Sequence, residues 1–372
     1  MLTKFNRRQW IKAAGTTLAA VALTPRITLQ AQHEVDRSAK RAEPVRINGN
    51  ENPFGPSQAA TMAMMQAMEK ACRYPFTEAM ALKELIAAKE GCKVDNVVLG
   101  VGSGEVLATV GAHFGKMKGE IIAARPGYVS LMRSAEAEGA KTTWVPLNKK
   151  LEHDLPAMAE KVGAGTSLVY VCNPNNPTGT VVNAAELKTF AKSVSQKVPV
   201  FIDEAYLDCA DDYKGQTCVQ LVNEGANVIV ARTFSKIYGM AGLRVGYGIM
   251  PAELAAKLKG TATGSLNMMG VVAATASLQD STYVEETRVK IKAGRDALLG
   301  VIKGLGKEYA EPQGNFVFFK TGMPIKTFAE KMLAESVLVG RPFEPLLDWA
   351  RISIGLPEEM EVCHTALKKV LA

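Results

Sequence analysis

The run Thr233-Phe234-Ser235-Lys236, with Arg244 eight residues after the lysine, decides the fold expected of this 372-residue chain. It follows Val228-Ile229-Val230-Ala231-Arg232, a pattern that predicts a buried strand. Lysine is the only side chain that condenses with an aldehyde to form a protonatable imine, so it is the anchor that pyridoxal phosphate requires. Ser, Thr and Arg at this spacing suit the cofactor's phosphate as hydrogen-bond donors. Alone, the run also fits a solvated lysine in a polar loop.

Two upstream segments favour the cofactor interpretation. The apolar run at 167–172 opens into residues 173–179, whose prolines and glycine end a strand. A second apolar run at 198–202 leads into Asp203-Glu204-Ala205-Tyr206. Ligands gather beyond the carboxyl ends of strands in an open α/β sheet. We therefore expect four side chains to meet at one edge of the sheet: Asn176, Asp203, Tyr206 and Lys236.

These residue types suit the chemistry of that cofactor. An aspartate under the pyridine nitrogen keeps the nitrogen protonated, and the ring then absorbs the electrons of a carbanion. Tyrosine and asparagine donate hydrogen bonds to the ring's phenolic oxygen, which favours its anion and lowers the pKa of the imine.

Together these motifs resemble those of the class I/II aminotransferases, pyridoxal-phosphate-dependent enzymes of fold type I, and most closely the histidinol-phosphate aminotransferase-like branch. Further matching motifs lie along most of the chain after residue 44: Asn50-Glu51-Asn52-Pro53-Phe54-Gly55-Pro56, Arg73-Tyr74-Pro75, Gly100-Val101-Gly102-Ser103-Gly104-Glu105, Arg125-Pro126-Gly127-Tyr128, Asn315-Phe316-Val317 and Arg351-Ile352-Ser353-Ile354-Gly355. The resemblance implies pyridoxal 5'-phosphate as cofactor and ping-pong transamination between an amino acid, or related amine, and a 2-oxo acid. It is much less specific for the substrate.

The order of patterns along the chain predicts an α/β fold. Apolar runs near 97–101, 120–124, 168–172, 198–202, 228–232 and 245–250 alternate with helical patterns such as 105–115, 184–195 and 252–260. This alternation predicts a large domain at 76–280, with a mostly parallel sheet flanked by helices. Residues 281–372 predict a smaller α/β domain with strands at 316–319 and 351–354. We expect residues 45–75 to join this smaller domain.

The glycine-rich run that ends at Glu105 predicts a phosphate site. It follows a strand and opens a helix, but Glu105 stands where a dinucleotide fingerprint needs its third glycine, and no clear ribose-binding acid follows. We interpret it as a helix N-terminus that binds one phosphate through Ser103 and Gly104; a plain structural turn is the alternative. The family often has an acidic residue at the position of Gly104, so in this chain one side-chain contact is missing and the backbone N–H group would have to bind the phosphate. Thr233, Ser235 and Arg244 are the other predicted cofactor ligands.

Two tyrosines complete the predicted cofactor site. Tyr128 matches the position where the family stacks an aromatic ring on the pyridine, although a lone aromatic also fits the core. Tyr74, by resemblance, reaches the phosphate of a neighbouring subunit's cofactor. The resemblance thus implies a homodimer with shared active sites.

The predicted reaction assigns roles to three catalytic residues and four substrate contacts. Lys236 holds the cofactor and then acts as the base at the substrate's Cα, with its pKa lowered by burial and by cations such as Arg244. Asp203 and Tyr206 act on the ring. Arg351 resembles the family arginine that binds the substrate's anionic group, and Arg341 supplies a second cation or is a surface charge. Asn52 and Asn315 are the remaining expected substrate contacts.

Three other functions remain open from the residues alone. A decarboxylase or lyase on the same scaffold is the nearest, because the sequence does not fix which bond at Cα stands perpendicular to the ring. A ligand-binding protein that kept the fold and a NAD-dependent oxidoreductase agree less well with the residues above.

The first 32 residues predict an export signal. Asn6-Arg7-Arg8-Gln9-Trp10-Ile11-Lys12 is a twin-arginine signature, and the apolar stretch at 13–23 is too short to span a bilayer. A cleavage point is expected after Ala31, although an ordinary amphipathic helix is the alternative. The prediction is a periplasmic enzyme, exported already folded by the twin-arginine machinery and not inserted in the membrane after cleavage.

Composition argues against two other classes of partner. The net charge is +7, but without residues 1–32 there are 39 basic and 37 acidic residues, so nothing favours nucleic-acid binding. The six cysteines form no Cys-x-x-Cys pair and the four histidines do not cluster with them, so no metal site is expected. Cys209 and Cys218 are either buried thiols or a pair that forms after export.

Overall fold

The computed structural model describes residues 43–261 and 264–372, and the predicted export signal lies outside them. Pro44–Ala372 form one compact unit. None of the helices within the described ranges is both long enough and apolar enough to cross a bilayer.

The strands are β1 (Val45–Arg46), β2 (Val97–Gly100), β3 (Glu120–Arg125), β4 (Lys141–Pro146), β5 (Thr166–Cys172), β6 (Val200–Asp203), β7 (Val228–Thr233), β8 (Gly246–Ile249), β9 (Phe316–Lys320), β10 (Val337–Leu338) and β11 (Trp349–Ser353). The helices are α1 (Gln58–Ala67), α2 (Phe76–Glu90), α3 (Ser103–Gly115), α4 (Ser130–Ala137), α5 (Leu155–Glu160), α6 (Ala184–Val194), α7 (Tyr213–Gln216), α8 (Val219–Asn223), α9 (Ala252–Leu258), α10 (Met268–Gln279), α11 (Ser281–Gly304), α12 (Ile325–Ala334) and α13 (Pro357–Leu371).

The large sheet of the described chain has seven strands in the order β2-β8-β7-β6-β5-β3-β4. β8 pairs antiparallel with both β2 and β7, and the other neighbours are parallel. All residues of β5, β6 and β7 are buried, as expected for parallel strands covered on both faces. Alternate residues of β5 belong to different hydrophobic cores: Val169 and Val171 to one, Leu168 and Tyr170 to the other. The predicted α/β architecture is confirmed.

A second core lies around the antiparallel pair of β9 and β11, packed with residues of α11, α12 and α13. The N-terminal strand β1 pairs in parallel with β10 and so belongs to this part of the protein. The rest of the segment 45–75 differs from the prediction, because α1 packs on α10 and Ala60 belongs to the core of the large sheet. The segment therefore runs from the smaller part to the larger one.

Candidate active site

The carboxyl ends of the central strands carry the predicted cluster. Asp203 is the last residue of β6, Thr233 is the last of β7, and the loop after β5 contains Asn176. A cavity of about 350 Å³ lies there. Its lining contains Ser103, Gly104, Tyr128, Asn176, Asp203, Tyr206, Thr233, Ser235, Lys236, Arg244, Arg341 and Arg351. The structure thus brings together twelve of the fifteen residues that the sequence predicts for the site.

The side chain of Lys236 is half-buried, and its amine lies inside this cavity. Its Nζ donates to the carbonyl oxygen of Gly49 at 3.4 Å and lies 5.2 Å from the centre of the Tyr206 ring. Burial and, to a smaller extent, the positive charge of Arg351 together lower the pKa of Lys236 to about 8. The sequence predicts that Arg244 has this second effect. The structure gives it to Arg351, a residue of β11.

Asp203 is a buried carboxylate without a described cation within 4 Å. Its Oδ1 accepts from the backbone N–H of Ala205 at 3.1 Å, and its Oδ2 accepts from the hydroxyl of Tyr170 at 3.0 Å. Burial raises the pKa of Asp203 to about 6, although both hydrogen bonds and Lys236 oppose that rise. The carboxylate is therefore charged above that pH and neutral below it.

Tyr206 and Arg351 meet at the amide of Asn176. The Nδ2 of Asn176 donates to the Tyr206 hydroxyl at 3.2 Å, and its Oδ1 accepts from Nη1 of Arg351 at 2.6 Å. Nη2 of Arg351 donates to the carbonyl oxygen of Asn48 at 2.8 Å, while its Nε has no partner among the described residues. Burial lowers the pKa of Arg351 to about 10, with a further contribution from Arg341. The guanidinium remains charged at neutral pH and has donor capacity left for an anion.

The other end of the cavity is built to hold a phosphate. Ser103 is the first residue of α3, so unpaired backbone N–H groups point from the helix end toward the cavity. Nη1 of Arg244 donates to the Ser235 hydroxyl at 3.3 Å. A side chain at Gly246 would collide with the backbone nitrogen of Ser103, whereas one at Gly104 would meet only open space. The close approach of β8 to the helix end thus requires a glycine at 246.

These residues fit pyridoxal phosphate. The helix end and the Arg244 guanidinium supply donors and positive charge for a phosphate. At the opposite side the buried carboxylate of Asp203, which accepts hydrogen bonds only from Tyr170 and the backbone of Ala205 among the described residues, offers a counter-ion to a protonated ring nitrogen. Lys236 has an amine that is partly neutral near pH 8 and can therefore attack an aldehyde.

Three predicted residues do not line the cavity. Nδ2 of Asn52 donates to the carbonyl oxygen of Ile237 at 2.7 Å, and Nδ2 of Asn315 donates to that of Asn50 at 3.0 Å. Both amide nitrogens thus donate to backbone carbonyl groups, and the predicted role of the two residues as substrate contacts stays a prediction. Tyr74 is 73% exposed and stacks on Phe76. Its predicted partner is another subunit, so its role stays a prediction.

Several residues of the site and its surroundings were not predicted from the sequence, and three of them carry polar groups that bear on its chemistry. Gly49 and Glu51 line the cavity, and Tyr170 lies behind Asp203. Glu51 was part of a quoted motif, so its inclusion could have been expected. Tyr170 gave no signal, because a tyrosine within an apolar strand is indistinguishable from a core residue.

No group of His, Cys, Asp and Glu in the described part of the chain could hold a metal ion. All six cysteines are free, which agrees with the interpretation of Cys209 and Cys218 as buried thiols.

Comparisons with known proteins assign the family. The family model for aminotransferase class I and II matches residues 42–367. The histidinol-phosphate aminotransferase of Moorella thermoacetica is 34% identical over 360 residues, covering 95% of this chain and 92% of its own, and that of Symbiobacterium thermophilum is 37% identical over 342 residues, covering 91% and 93%. The crystal structure of the histidinol-phosphate aminotransferase from Sinorhizobium meliloti, in complex with pyridoxal-5'-phosphate, matches with a TM-score of 0.80 and 27% identity over 88% of this chain and 91% of that one. This chain belongs to the class I and II aminotransferases.

Proposed function

We propose that this protein is a pyridoxal-phosphate-dependent aminotransferase that transfers an amino group from an amino acid or related amine to a 2-oxo acid by a ping-pong mechanism. One observation carries the proposal. The amine of Lys236, with its pKa lowered to about 8, shares a cavity with the buried carboxylate of Asp203 and the guanidinium of Arg351.

The bound cofactor supplies an aldehyde and a ring that takes up electron density from Cα of the substrate. Ser103, Ser235 and Arg244 would bind its phosphate, and Asp203 would hold the proton on the ring nitrogen. Tyr206 and Asn176 would donate to the phenolic oxygen, and Tyr128 would pack on the ring. Lys236 would hold the cofactor, and its freed Nζ would then move the proton from the substrate's Cα to C4′ of the cofactor.

The substrate side of the cavity carries positive charge. Neither Arg351 nor Arg341 has a carboxylate within 4 Å among the residues described, and Arg341 lies over the ring of Phe343 at 4.6 Å. We infer that Arg351 binds the anionic group attached to Cα and that Arg341 faces the substrate's other end. Glu51, which also lines the cavity, disfavours acidic groups in its vicinity.

A spectral half-reaction tests this function. Purified holoenzyme is mixed with single amino donors and the visible absorbance of the bound cofactor is followed, with and without a 2-oxo acid. A transaminase loses the absorbance with donor alone and recovers it on addition of the acceptor. Release of CO₂, or recovery without acceptor, supports a decarboxylase or lyase instead. Lys236→Ala should abolish turnover, and retained turnover would contradict the assignment.

We also propose that the two active sites of a homodimer share residues. The support is a set of exposed apolar side chains on α1, on the start of α2 and between these helices: Met62, Met65, Met68, Tyr74, Phe76 and Met80. Large apolar side chains that are exposed together are typical of an interaction surface. Tyr74, by the resemblance to the family, would reach the neighbouring subunit's cofactor.

Subunit mixing tests the shared site. Lys236→Ala and Tyr74→Ala chains are unfolded together, refolded and compared with each chain refolded alone. In a mixed dimer, the subunit that keeps Lys236 receives Tyr74 from its partner, so one of its two sites should be active, which is about a quarter of all sites in an equal mixture. If Tyr74 serves its own subunit, mixing restores nothing.

We further propose that the enzyme is exported to the periplasm by the twin-arginine route and acts there on free or modified amino acids. The support is Arg7-Arg8 followed by a short apolar stretch without acidic residues. Cell fractionation with N-terminal sequencing tests it. The mature chain should begin after Ala31, and Arg7→Lys with Arg8→Lys should keep the protein in the cytoplasm. A native N-terminus near Met1 would contradict export.

A further inference from the structure

Tyr170 is a buried phenol directly behind the carboxylate of the candidate site. On β5 it stands opposite Phe201 of β6, and its neighbour Cys172 stands opposite Asp203. The side chain is 1% exposed and does not line the cavity. Its hydroxyl donates to Oδ2 of Asp203 at 3.0 Å. Tyr170 therefore reaches the site only through that carboxylate.

Packing does not explain why this residue is a tyrosine. The side chain lies in a core of apolar residues that includes Leu168 and Ile229, and its ring is 5.8 Å from that of Phe201. A phenylalanine would fill the same space without a buried hydroxyl, whose desolvation costs free energy unless it is hydrogen-bonded. The hydroxyl donates its hydrogen bond to Asp203, and the thiol of Cys172 also lies beside it, so we look for the role of the hydroxyl in its effect on the carboxylate.

The carboxylate of Asp203 has few groups that stabilise its charge. The titratable groups that face it from the packed elements are Tyr128, Tyr170, Cys172, Tyr206 and Lys236. Among these, Lys236 alone becomes a cation, and the hydrogen bonds to Asp203 come from Tyr170 and the backbone of Ala205. The phenol and one amide thus hold this carboxylate in place.

We propose that Tyr170 is a positioning residue that orients Asp203 and keeps it charged opposite the ring nitrogen of pyridoxal phosphate. This proposal rests on the proposed function of the cavity. A hydrogen bond to a charged acceptor is stronger than one to a neutral acceptor, so the phenol favours the carboxylate over the carboxylic acid. A charged Asp203 in turn favours the protonated ring nitrogen.

The sign of the pH dependence follows. The ion pair with the ring nitrogen exists when Asp203 is charged, which is above its pKa of about 6, and is lost as the pH falls through that value. Without the phenol the pKa of Asp203 rises by about one pH unit. Cofactor affinity of Tyr170→Phe should therefore fall about fivefold relative to wild type at pH 6, approach a tenfold loss at lower pH, and recover toward pH 8.

The test compares two cofactors and two variants. Dissociation constants for pyridoxal phosphate and its 1-deaza analogue, in which C–H replaces the ring nitrogen, are measured by equilibrium dialysis from pH 5.5 to 8.5. Tyr247→Phe is the matched control, because Tyr247 is also a buried tyrosine of the large sheet that donates to a carboxylate, Glu90, at 2.9 Å. Glu90 does not line the cofactor cavity.

We expect Tyr170→Phe to bind pyridoxal phosphate more weakly than wild type at low pH and to bind the deaza analogue with the same affinity as wild type. Tyr247→Phe should bind both cofactors with wild-type affinity. Equal losses for both cofactors, or no loss, would overturn the proposal. If wild type binds neither cofactor, the proposed function fails instead.

A second variant covers the case in which Tyr170→Phe does not fold. A 3-fluorotyrosine at position 170 keeps the shape and makes the hydroxyl a stronger donor. The pH at which affinity for pyridoxal phosphate is lost on acidification should therefore shift to a lower value. A shift to a higher pH would overturn the proposal.

Discussion

Replacing Arg351 by Gln should raise the pKa of Lys236. Burial and Arg351 are the two causes that lower this pKa from 10.5 to about 8. Arg351 is the smaller of them, and we assign to it about one pH unit, or about 1.4 kcal/mol. A pKa near 9 leaves about 3% of the amine neutral at pH 7.5, against about a quarter in wild type. Acylation of Lys236 at that pH should therefore slow about eightfold.

Competitive labelling measures this directly. Cofactor-free protein is treated with trace acetic anhydride across a pH series, and the acetylated fraction of the Lys236 peptide is read by mass spectrometry. Arg244→Gln is the control, since Arg244 is not among the groups that shift this lysine in the structure. Circular dichroism verifies that each variant is folded.

Two results would refute the reasoning. If the pKa of Lys236 were unchanged in Arg351→Gln, Arg351 would not be a cause of the lowered pKa. If the pKa of Lys236 rose by the same amount in Arg244→Gln, the sequence-based prediction that Arg244 lowers this pKa would be supported instead.

Three further outcomes follow from other parts of the molecule. Gly104→Ala should fold and bind cofactor normally because its side chain meets open space. Gly246→Ala should lose cofactor affinity at least tenfold because its side chain displaces the helix end. Equal dissociation constants of the two variants in equilibrium dialysis would contradict this. Arg232→Met should lower the free energy of urea unfolding by about 3–5 kcal/mol, because it leaves the buried carboxylate of Glu204 unpaired; a change below about 1 kcal/mol would contradict that ion pair's role. Reducing agent should not change the melting temperature, since the cysteines are free, and a drop would reveal a disulfide.

The sequence predicted those parts of the fold whose signal is local. Apolar runs that end in polar residues marked β5, β6 and β7 within two residues, because these strands are buried on both faces. The edge strand β4 gave a weaker signal, since Lys141-Thr142-Thr143 are polar and partly exposed. The packing of α1 on α10 depends on contacts across more than 200 residues, which no local pattern contains.

The same distinction applies to the candidate site. Asn176, Asp203 and Lys236 follow strand ends, so the topology of a parallel sheet was enough to place them together. Asn52 and Asn315 lie in matching motifs, but only the structure reveals that their amides bind backbone carbonyl groups. The effect of Arg351 on the pKa of Lys236 likewise depends on how β11 lies relative to the loop after β7, and these segments are more than 100 residues apart in the chain.

Borohydride reduction tests the central assignment most directly. Purified holoenzyme is reduced, digested and mapped by mass spectrometry for the phosphopyridoxyl group. We predict one modified peptide, with the group on Nζ of Lys236, and none in Lys236→Ala. Modification of another lysine in the wild-type enzyme, or none although the cofactor is bound, would contradict the account.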